Sequence, residues 1–510
     1  MFRAAFCGLA LLLPFVVWSY GGLWEYLTNN NLACLSLAFA ALLYGRKSFS
    51  LRDALPLLCL LFYLFSLLSA SPADNLWQLL FVFSLALNLF SGEEGSSRSV
   101  FARVLLLACL FNAIVSLFQY FGQAELGGIF FFQSPPGAIV GNLRQTNNLG
   151  TLMVIGVAML AGMDETEHKC SRRRYVLIAM ALLFAFVAAI TTSRTALVTI
   201  LGVSVTGLFL LRRKVVLLAA LVGTLLFNFW LSYSGGMSAV MRLTAETLSC
   251  GGRRAIWSDG LEMVFSRPWT GWGWGSLRYA QVVLGGEERL HSCFPLGELH
   301  NEVLQITATL GIPFLCLLLG LLLSGAVWIY RRYKPEKAVY VLVMLPLLLH
   351  SMLEYPLHRP VFLMILAFSF AGLMAGELSA LKRWSWRGAR ALPSVFWVLV
   401  MALFVSAEMS SRSLVEKNSE QLSAPITTTE QFFHPREALL FILYSSPVDG
   451  LTAGMLLDYE EILLKSILSV QLLEKLQQAA EILGDTEKTE RFRRMIRYET
   501  EWLARAAERP

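Results

Sequence analysis

The chain has 510 residues, of which 56% are hydrophobic and only 15% charged, whereas soluble globular proteins carry about 25% charged residues. Charge is uneven: residues 410–510 hold 12 basic and 16 acidic side chains, and the preceding 409 hold 30 and 20. This composition excludes an ordinary soluble protein, a disordered chain and a disulfide-rich secreted module, and a net charge of only +6, spread over short loops, excludes a nucleic-acid binder. It predicts a membrane domain over 1–409 and a soluble module over 410–510.

Thirteen apolar runs are long enough, or nearly so, to cross a bilayer, whose core needs about 20 helical residues. They cover roughly 4–20, 31–45, 54–70, 75–91, 100–121, 146–163, 175–192, 195–211, 215–233, 303–330, 338–353, 361–379 and 391–409. The first run lacks a small-residue cleavage site, so we interpret it as a retained helix rather than a signal peptide. The predicted fold class is therefore all-α, a polytopic membrane helix bundle of about 13 spans.

The distribution of Lys and Arg predicts the orientation, because cytoplasmic loops are enriched in both. Alternate loops, starting with the N-terminus, carry 21 of them, and the other short loops carry only Arg144, Arg194 and Arg359. The chain is predicted N-in and C-out, which places a long loop over about 234–301, and the 410–510 module, on the non-cytoplasmic face. Three arginines on that face suggest an anion site, although each could instead snorkel to lipid headgroups.

Ionisable residues are lacking where a coupled transporter needs them. No Asp, Glu, Lys or Arg lies near the centre of a predicted span, where the polar residues are amides such as Asn112 and Gln119. A transporter is therefore disfavoured, whereas a lipid flippase stays open. The sequence also lacks D-x-D, H-E-x-x-H and C-x-x-C motifs, so we expect neither a metal nor another cofactor. Cys250 and Cys293 share the long loop and could pair in an oxidising compartment.

The first two outer loops offer donors to an anion. Arg144-Gln145-Thr146-Asn147-Asn148 comes just before a predicted helix, whose N-terminal dipole favours negative charge, although Asn147 or Thr146 could simply cap that helix. The turn Ser193-Arg194 places a guanidinium at headgroup depth, where it can bind phosphate in bidentate fashion.

The long loop contains a helix pattern and a glycine-tryptophan pattern. Ile256, Met263 and Phe265 recur with a spacing that predicts an amphipathic helix lying on the membrane, headed by Arg253 and Arg254 at its positive end. The later stretch Gly271-Trp272-Gly273-Trp274-Gly275 predicts a flexible strand or loop whose rings could stack on sugars.

His300-Asn301-Glu302 begins a segment that runs to residue 330 and, at 1.5 Å per residue, would be about 46 Å long. Gly311 and Pro313 predict a kink, so the first turns could project outward and hold His300 above the membrane plane. His300 is a candidate general base, although a lone histidine is more often structural or solvated. The last outer turn adds Glu354, Tyr355, His358 and Arg359.

The tail has leucines at spacings near three and four between Leu456 and Leu476, which predict an amphipathic helix. Gly484-Asp485 breaks it from a second helix over 486–507. Such a module could dock a protein acceptor or cap the long loop.

These motifs carry a family resemblance over roughly 120–380. They are Ser193-Arg194, Arg253/Arg254-x-x-Trp257, Arg267-Pro268 with the Gly271–Gly275 repeat, and His300-Asn301-Glu302-Val303-Leu304 up to Gly311. On them the chain resembles the O-antigen ligase and polymerase superfamily of bacterial inner-membrane glycosyltransferases. Arg144-Gln145-Thr146-Asn147-Asn148-Leu149 and the helical tail are most similar to protein O-oligosaccharyltransferases that glycosylate pilins, whose pattern often has a His at the position of Asn148.

This resemblance implies a metal-independent GT-C-type enzyme on the periplasmic face. It would transfer a glycan en bloc from an undecaprenyl-diphosphate carrier to Ser or Thr hydroxyls of a periplasmic protein such as pilin. His300 would be the base, and Arg194 with Arg253 or Arg254 would bind the diphosphate. The remaining site residues would be Arg144, Gln145, Asn301 and Tyr355. An O-antigen ligase or polymerase acting on lipid A core or another glycan is the alternative, and a lipid-linked-oligosaccharide flippase is a third hypothesis.

Overall fold

A computed structural model describes residues 2–16, 36, 37, 40, 49–50, 74–91, 96–122, 134, 137–166, 171–235, 238–241, 253–287, 289–290, 296–331, 333–375, 383–384, 447–466 and 468–507. The chain divides into two compact units. The bundle unit comprises 1–61, 78–246 and 324–399, and the loop–tail unit comprises 62–77, 247–323 and 400–510. The long loop thus groups with the tail, and the predicted division into membrane and soluble parts at residue 409 stays a prediction.

Helices dominate the described residues. In chain order they are α1 Phe2–Val16, α2 Asp74–Phe90, α3 Ser96–Tyr120, α4 Thr146–Thr166, α5 Ser171–Ile190, α6 Arg194–Leu210, α7 Val215–Tyr233, α8 Arg253–Ser266, α9 Leu277–Gly285, α10 Glu302–Leu310, α11 Ile312–Arg331, α12 Ala338–Ser351, α13 Pro360–Leu373, α14 Gly450–Asp458, α15 Glu460–Ser466, α16 Val470–Ile482 and α17 Thr486–Ala507. Three short 3-10 helices cover Gly141–Leu143, Pro335–Lys337 and Pro356–His358. Strands β1 Phe49–Ser50 and β2 Arg383–Trp384 pair antiparallel, with Phe49 opposite Trp384.

Ten of the predicted spans coincide with helices, which confirms the all-α class for the described residues apart from the two-residue strands β1 and β2. Five helices are long and apolar enough to cross a membrane: Ser97–Tyr120, Thr146–Glu165, Arg172–Ile190, Val215–Tyr233 and Ile312–Arg331. The protein is therefore a multi-pass membrane protein. The runs 54–70 and 391–409 lie outside the described residues, as does most of 31–45. The total of 13 spans and the orientation stay predictions.

Basic residues of the predicted inner loops cap helix C-termini in the bundle unit. A guanidinium nitrogen of Arg98 donates to the carbonyl oxygens of Phe90 and Ala371 at 3.3 Å each, and Lys337 Nζ donates to that of Leu373. Cations are favoured at these positions because the last carbonyls of a helix lack intrahelical partners and form the negative end of its dipole. Loops predicted to share one face therefore meet in the structure.

The predicted kink near residue 311 is a complete break. Helix α10 ends at Leu310, Gly311 follows with φ +85°, and α11 begins at Ile312. Glycine is required here because a Cβ on Gly311 would overlap the backbone of Trp269. The short α10 is thereby packed within the loop–tail unit and separated from the apolar α11.

The tail helices share one hydrophobic core with the loop helices. This core includes Met263, Leu277, Leu299, Leu456, Leu463, Leu472, Leu473, Leu476 and Phe492, all at most 2% exposed. Gly484, with φ +72°, separates α16 from α17 at the predicted position. The second predicted tail helix matches α17, whereas the stretch predicted as one amphipathic helix is divided into α14, α15 and α16. These tail helices pack against the loop helices in the shared core.

A polar cluster joins α9 to the last tail helix. Arg278 forms an ion pair with Glu499 and donates to Gln281 Oε1 at 2.5 Å, while that oxygen also accepts from the backbone of Leu296 at 2.8 Å. Burial raises the pKa of the Glu499 carboxyl despite the nearby Arg278 charge. Burial and the charge of Asp259 raise the pKa of Tyr498.

Candidate functional site

His300 lies at a fixed turn before α10 in the loop–tail unit. Its backbone is left-handed, with φ +51°. The next residue, Asn301, caps α10 by accepting from the backbone of Leu304 at 3.0 Å, and Gln305 Oε1 accepts from the backbone of Leu299 at 3.0 Å. His300 is half-buried between these two anchors. Asn301 was predicted as a substrate-site residue, and the structure shows that it also caps a helix.

Helix α8 packs directly on the segment that carries His300. A Cβ on Gly260 would lie 2.7 Å from Leu304 Cδ2 and 3.0 Å from Leu299 Cδ1, so only glycine allows this approach. At the start of α8, Arg253 is half-buried whereas Arg254 is exposed. Of the two arginines, Arg253 is therefore the one whose side chain is partly enclosed by the protein.

Three residues of α8 were predicted to face the membrane, and for two of them the prediction is wrong. Ile256 and Met263 are 7% and 0% exposed and belong to the core of the loop–tail unit. The exposed apolar residues are Leu261 (48%), Phe265 (69%) and, just beyond the helix, Trp269 (77%). The spacing predicted an amphipathic helix, but its apolar positions on one side pack against protein.

The glycine-tryptophan stretch is also not the flexible sugar-stacking element that its composition predicted. Trp272 is buried, its Nε1 donates to the carbonyl of Met263 at 3.0 Å, and the Arg267 guanidinium lies 4.0 Å from its ring centre. The backbone nitrogens of Trp272 and Gly273 donate at 2.9 Å to the carbonyls of Ala308 and Thr309. Trp272 therefore completes the C-terminal end of α10, and a sugar could stack only on less buried rings such as Trp274.

In the bundle unit, two amides of α3 hold the loop that leads to Arg144. Gln119 Oε1 accepts from the backbones of Val140 and Gly141 at 3.0 and 2.9 Å, and Asn112 Oδ1 accepts from that of Asn142 at 3.0 Å. Arg144 follows the 3-10 turn with φ +61° and is half-buried, as is Gln145. The polar residues noted within this predicted span thus serve to position the loop.

Three loops that are predicted to lie on the outer face are joined by one series of hydrogen bonds. Ser193, the N-cap of α6, accepts from the backbone of Ala196 at 3.1 Å and donates through Oγ to Asn147 Oδ1 at 2.7 Å. Asn147 Nδ2 donates to Glu354 Oε1 at 2.9 Å. Asn147 lies inside the first turn of α4, so its interpretation as a helix cap is wrong. Arg194 and Tyr355, the residues that follow Ser193 and Glu354, are thereby tied to one framework.

Neighbouring contacts extend this framework. Thr151 Oγ1 lies 2.9 Å from Nδ1 of the fully buried His350, one turn before Glu354. The rings of Tyr355 and His358 are 5.8 Å apart, centre to centre. No local sequence pattern pairs Asn147 with Glu354, because 207 positions separate them.

The predicted site residues fall into two groups. Arg144, Gln145, Arg194 and Tyr355 belong to the bundle unit, and Arg253, Arg254, His300 and Asn301 belong to the loop–tail unit. Among the described residues, the non-glycine residues with positive φ are Arg144, Thr192 and His300. Each is a candidate residue or lies two positions from one. Such conformations cost roughly 1–3 kcal/mol and cluster at functional sites.

Two family models match the chain. The model described as O-Antigen ligase covers residues 179–319, and that described as Virulence factor membrane-bound polymerase, C-terminal, covers 338–504. The first match contains Arg194, both arginines of α8 and His300, and the second contains Tyr355 and the tail. The matched segments therefore hold six of the eight predicted site residues: all except Arg144 and Gln145.

Curated relatives include two proteins of Acinetobacter baylyi. A General O-oligosaccharyltransferase is 24% identical over 328 residues, which are 59% of this chain and 55% of the relative. A ComP-specific O-oligosaccharyltransferase is 25% identical over 318 residues, 56% of this chain and 55% of the relative. The chain thus spans about half the length of the curated relatives it matches. Together with the two family models, these similarities confirm that the chain is related to the O-antigen ligase and polymerase superfamily and resembles its protein O-oligosaccharyltransferases.

Proposed function

We propose that the protein transfers a glycan en bloc from an undecaprenyl-diphosphate carrier to a Ser or Thr hydroxyl of a periplasmic protein such as pilin. The similarity to two O-oligosaccharyltransferases supports this reaction. The reaction would take place at the periplasmic face of the bacterial inner membrane, with the N-in, C-out orientation of about 13 spans that the Lys and Arg distribution predicts.

The observation that carries the proposal is the setting of His300. Its left-handed backbone is held between an N-cap and a buried leucine, an arrangement that fixes an imidazole at the start of a helix. In the proposed step the acceptor oxygen attacks the anomeric carbon, the bond from that carbon to the diphosphate oxygen breaks, and His300 takes the hydroxyl proton. Imidazole suits this role because its ordinary pKa is near neutral.

The leaving diphosphate gains negative charge as the bond breaks. Arginines stabilise this charge most when the folded protein holds them beside the diphosphate before the reaction. We assign this role to Arg194 and Arg253, the second because it is the partly enclosed arginine of α8. Arg144, Gln145 and Tyr355 would line the site beside Arg194, and Asn301 would hold His300. No metal or other cofactor takes part in this scheme.

An O-antigen ligase or polymerase is the second candidate, favoured by the descriptions of both family models. It shares the donor and the chemistry and differs in its acceptor, lipid A core or another glycan. The tail, which covers the long loop, is the element that we expect to contact a protein acceptor.

Purified protein given lipid-linked oligosaccharide and, in separate reactions, a pilin-type protein or lipid A core would distinguish these candidates. Transfer would be read by mass spectrometry for wild type, His300→Asn, Arg253→Gln and Arg254→Gln. Asn tolerates a left-handed backbone and cannot act as the base, so His300→Asn should fold and lose transfer. Arg253→Gln should lose more activity than its matched control Arg254→Gln. Transfer to lipid A core alone would support the ligase, and full activity of His300→Asn would contradict the assigned base.

A further inference from the structure

We propose that Asn147 and Glu354 are positioning residues that set the place of Arg194 relative to Tyr355. This inference rests on the proposed function, because it gives these two side chains a role at the same site. Neither residue is among the eight predicted site residues.

The hydrogen-bonded series has one direction. The Glu354 carboxylate can only accept, so the amide nitrogen of Asn147 donates to it. The Oδ1 of Asn147 therefore faces Ser193 Oγ, which donates to it and also accepts from the backbone of Ala196. An amide is the side chain that can accept at one end and donate at the other, and here it uses both ends.

Water does not readily replace these contacts. Ser193 and Glu354 are 1% and 4% exposed, and a buried carboxylate is costly unless donors satisfy it. Loss of these hydrogen bonds would therefore shift the loops, because the buried Ser193 hydroxyl and Glu354 carboxylate must each find another partner.

Each member of the series precedes or closely follows a candidate binding residue. Ser193 adjoins Arg194, Glu354 adjoins Tyr355, and Asn147 lies two positions after Gln145. Displacement of a binding group by about 1 Å can lower a rate by roughly 10²-fold. The geometry of this series thus determines whether the arginine and tyrosine reach one substrate together.

A reversal of the hydrogen bond tests the proposal. Asn147→Asp would place two carboxylates face to face, and we expect transfer to fall by about 10²-fold. In the double variant Asn147→Asp with Glu354→Gln, the new amide can donate to the new carboxylate while Ser193 still donates to residue 147. We expect it to regain at least about tenfold over Asn147→Asp alone, because residues in one network are coupled.

Asn228 provides the matched control. This buried amide also holds its own loop, since its Oδ1 accepts from the backbone of Ala239 at 3.2 Å. Glu354→Gln should not rescue Asn228→Asp. A shared effect on folding, by contrast, would appear equally in the thermal unfolding of both Asp variants.

Binding of undecaprenyl diphosphate to protein in nanodiscs is the second measurement, and it does not depend on glycan transfer. Weaker binding of undecaprenyl diphosphate to Asn147→Asp, with recovery in the double variant, would support the inference. If the wild type glycosylates neither acceptor, that result would contradict the proposed function and leave this binding test intact. Wild-type binding and activity in Asn147→Asp, or no recovery in the double variant, would overturn it.

Discussion

Gly150 lies so close to Ala196 that a Cβ on the glycine would be 2.6 Å from the Cβ of the alanine. The same atom would lie 3.5 Å from Ser193 Cβ and from Thr191 Oγ1. The absence of a side chain on α4 therefore lets the turn before α6 approach it. This contact sits one turn beyond Asn147, so it fixes how near Ser193 comes to the Asn147 amide.

We expect Gly150→Ala to separate these two helices and lower glycan transfer by about 10- to 100-fold. Alanine is favoured over glycine within a helix by about 1 kcal/mol, so weaker helix formation cannot explain a loss. Gly320→Ala in α11 is the matched control, because a Cβ there meets no atom within 4 Å. Initial rates of both variants test this, and equal rates would show that the contact does not position the site.

The left-handed backbone of His300 allows its structural and chemical roles to be separated. His300→Gly should be at least as stable as His300→Ala, because alanine in this conformation costs about 1–2 kcal/mol more than glycine. Both variants should lose transfer, since neither carries a base. Thermal unfolding and transfer assays check the two expectations. Activity in His300→Gly alone would mean that only the backbone conformation matters.

The features of the fold that depend on local sequence pattern were predictable. Apolar runs predicted the helices, Gly311 predicted a bend where the structure has a complete break, and Gly484 predicted the start of the last tail helix. Features that depend on packing between distant segments were not predictable. Ile256 and Met263 are buried because α8 packs against α10 and α9, within a core that the loop helices share with the tail.

The candidate site shows the same distinction. His300 is predicted from its position before a helix, and Arg253 is predicted as one of a pair of arginines whose exposures only the structure separates. The pairing of Asn147 with Glu354 had no local signal, because an amide near a helix start is most often a cap. Chain folding over 207 positions brings the two together.

The exposed side of α8 should contact lipid. Phe265 and Trp269 are exposed, and the backbone of Ile312, the first residue of the apolar α11, donates to Pro268 at 2.8 Å, so this side continues into a membrane-span candidate. Aromatic residues favour the membrane interface. A photoreactive benzoylphenylalanine at Phe265 should crosslink to lipid in nanodiscs, detected by mass spectrometry. The same group at the exposed tail residue Tyr459 is the control, and equal lipid labelling at both would argue against a specific lipid-facing side.

Close packing of α9 on α17 should make the tail cap sensitive to one methyl group. A Cβ on Gly285 would overlap the ring of Tyr498, which is half-buried in the loop–tail unit. Gly285→Ala should therefore loosen α17, with a destabilisation of about 1–3 kcal/mol as for other overpacked cores. Limited proteolysis should release the tail of Gly285→Ala faster than that of wild type or of Gly454→Ala, whose added Cβ meets no atom within 4 Å.

If the tail contacts a protein acceptor, Gly285→Ala should raise KM for the acceptor and leave KM for the lipid-linked donor unchanged. An equal rise in both would instead indicate that the cap supports the whole loop that carries His300.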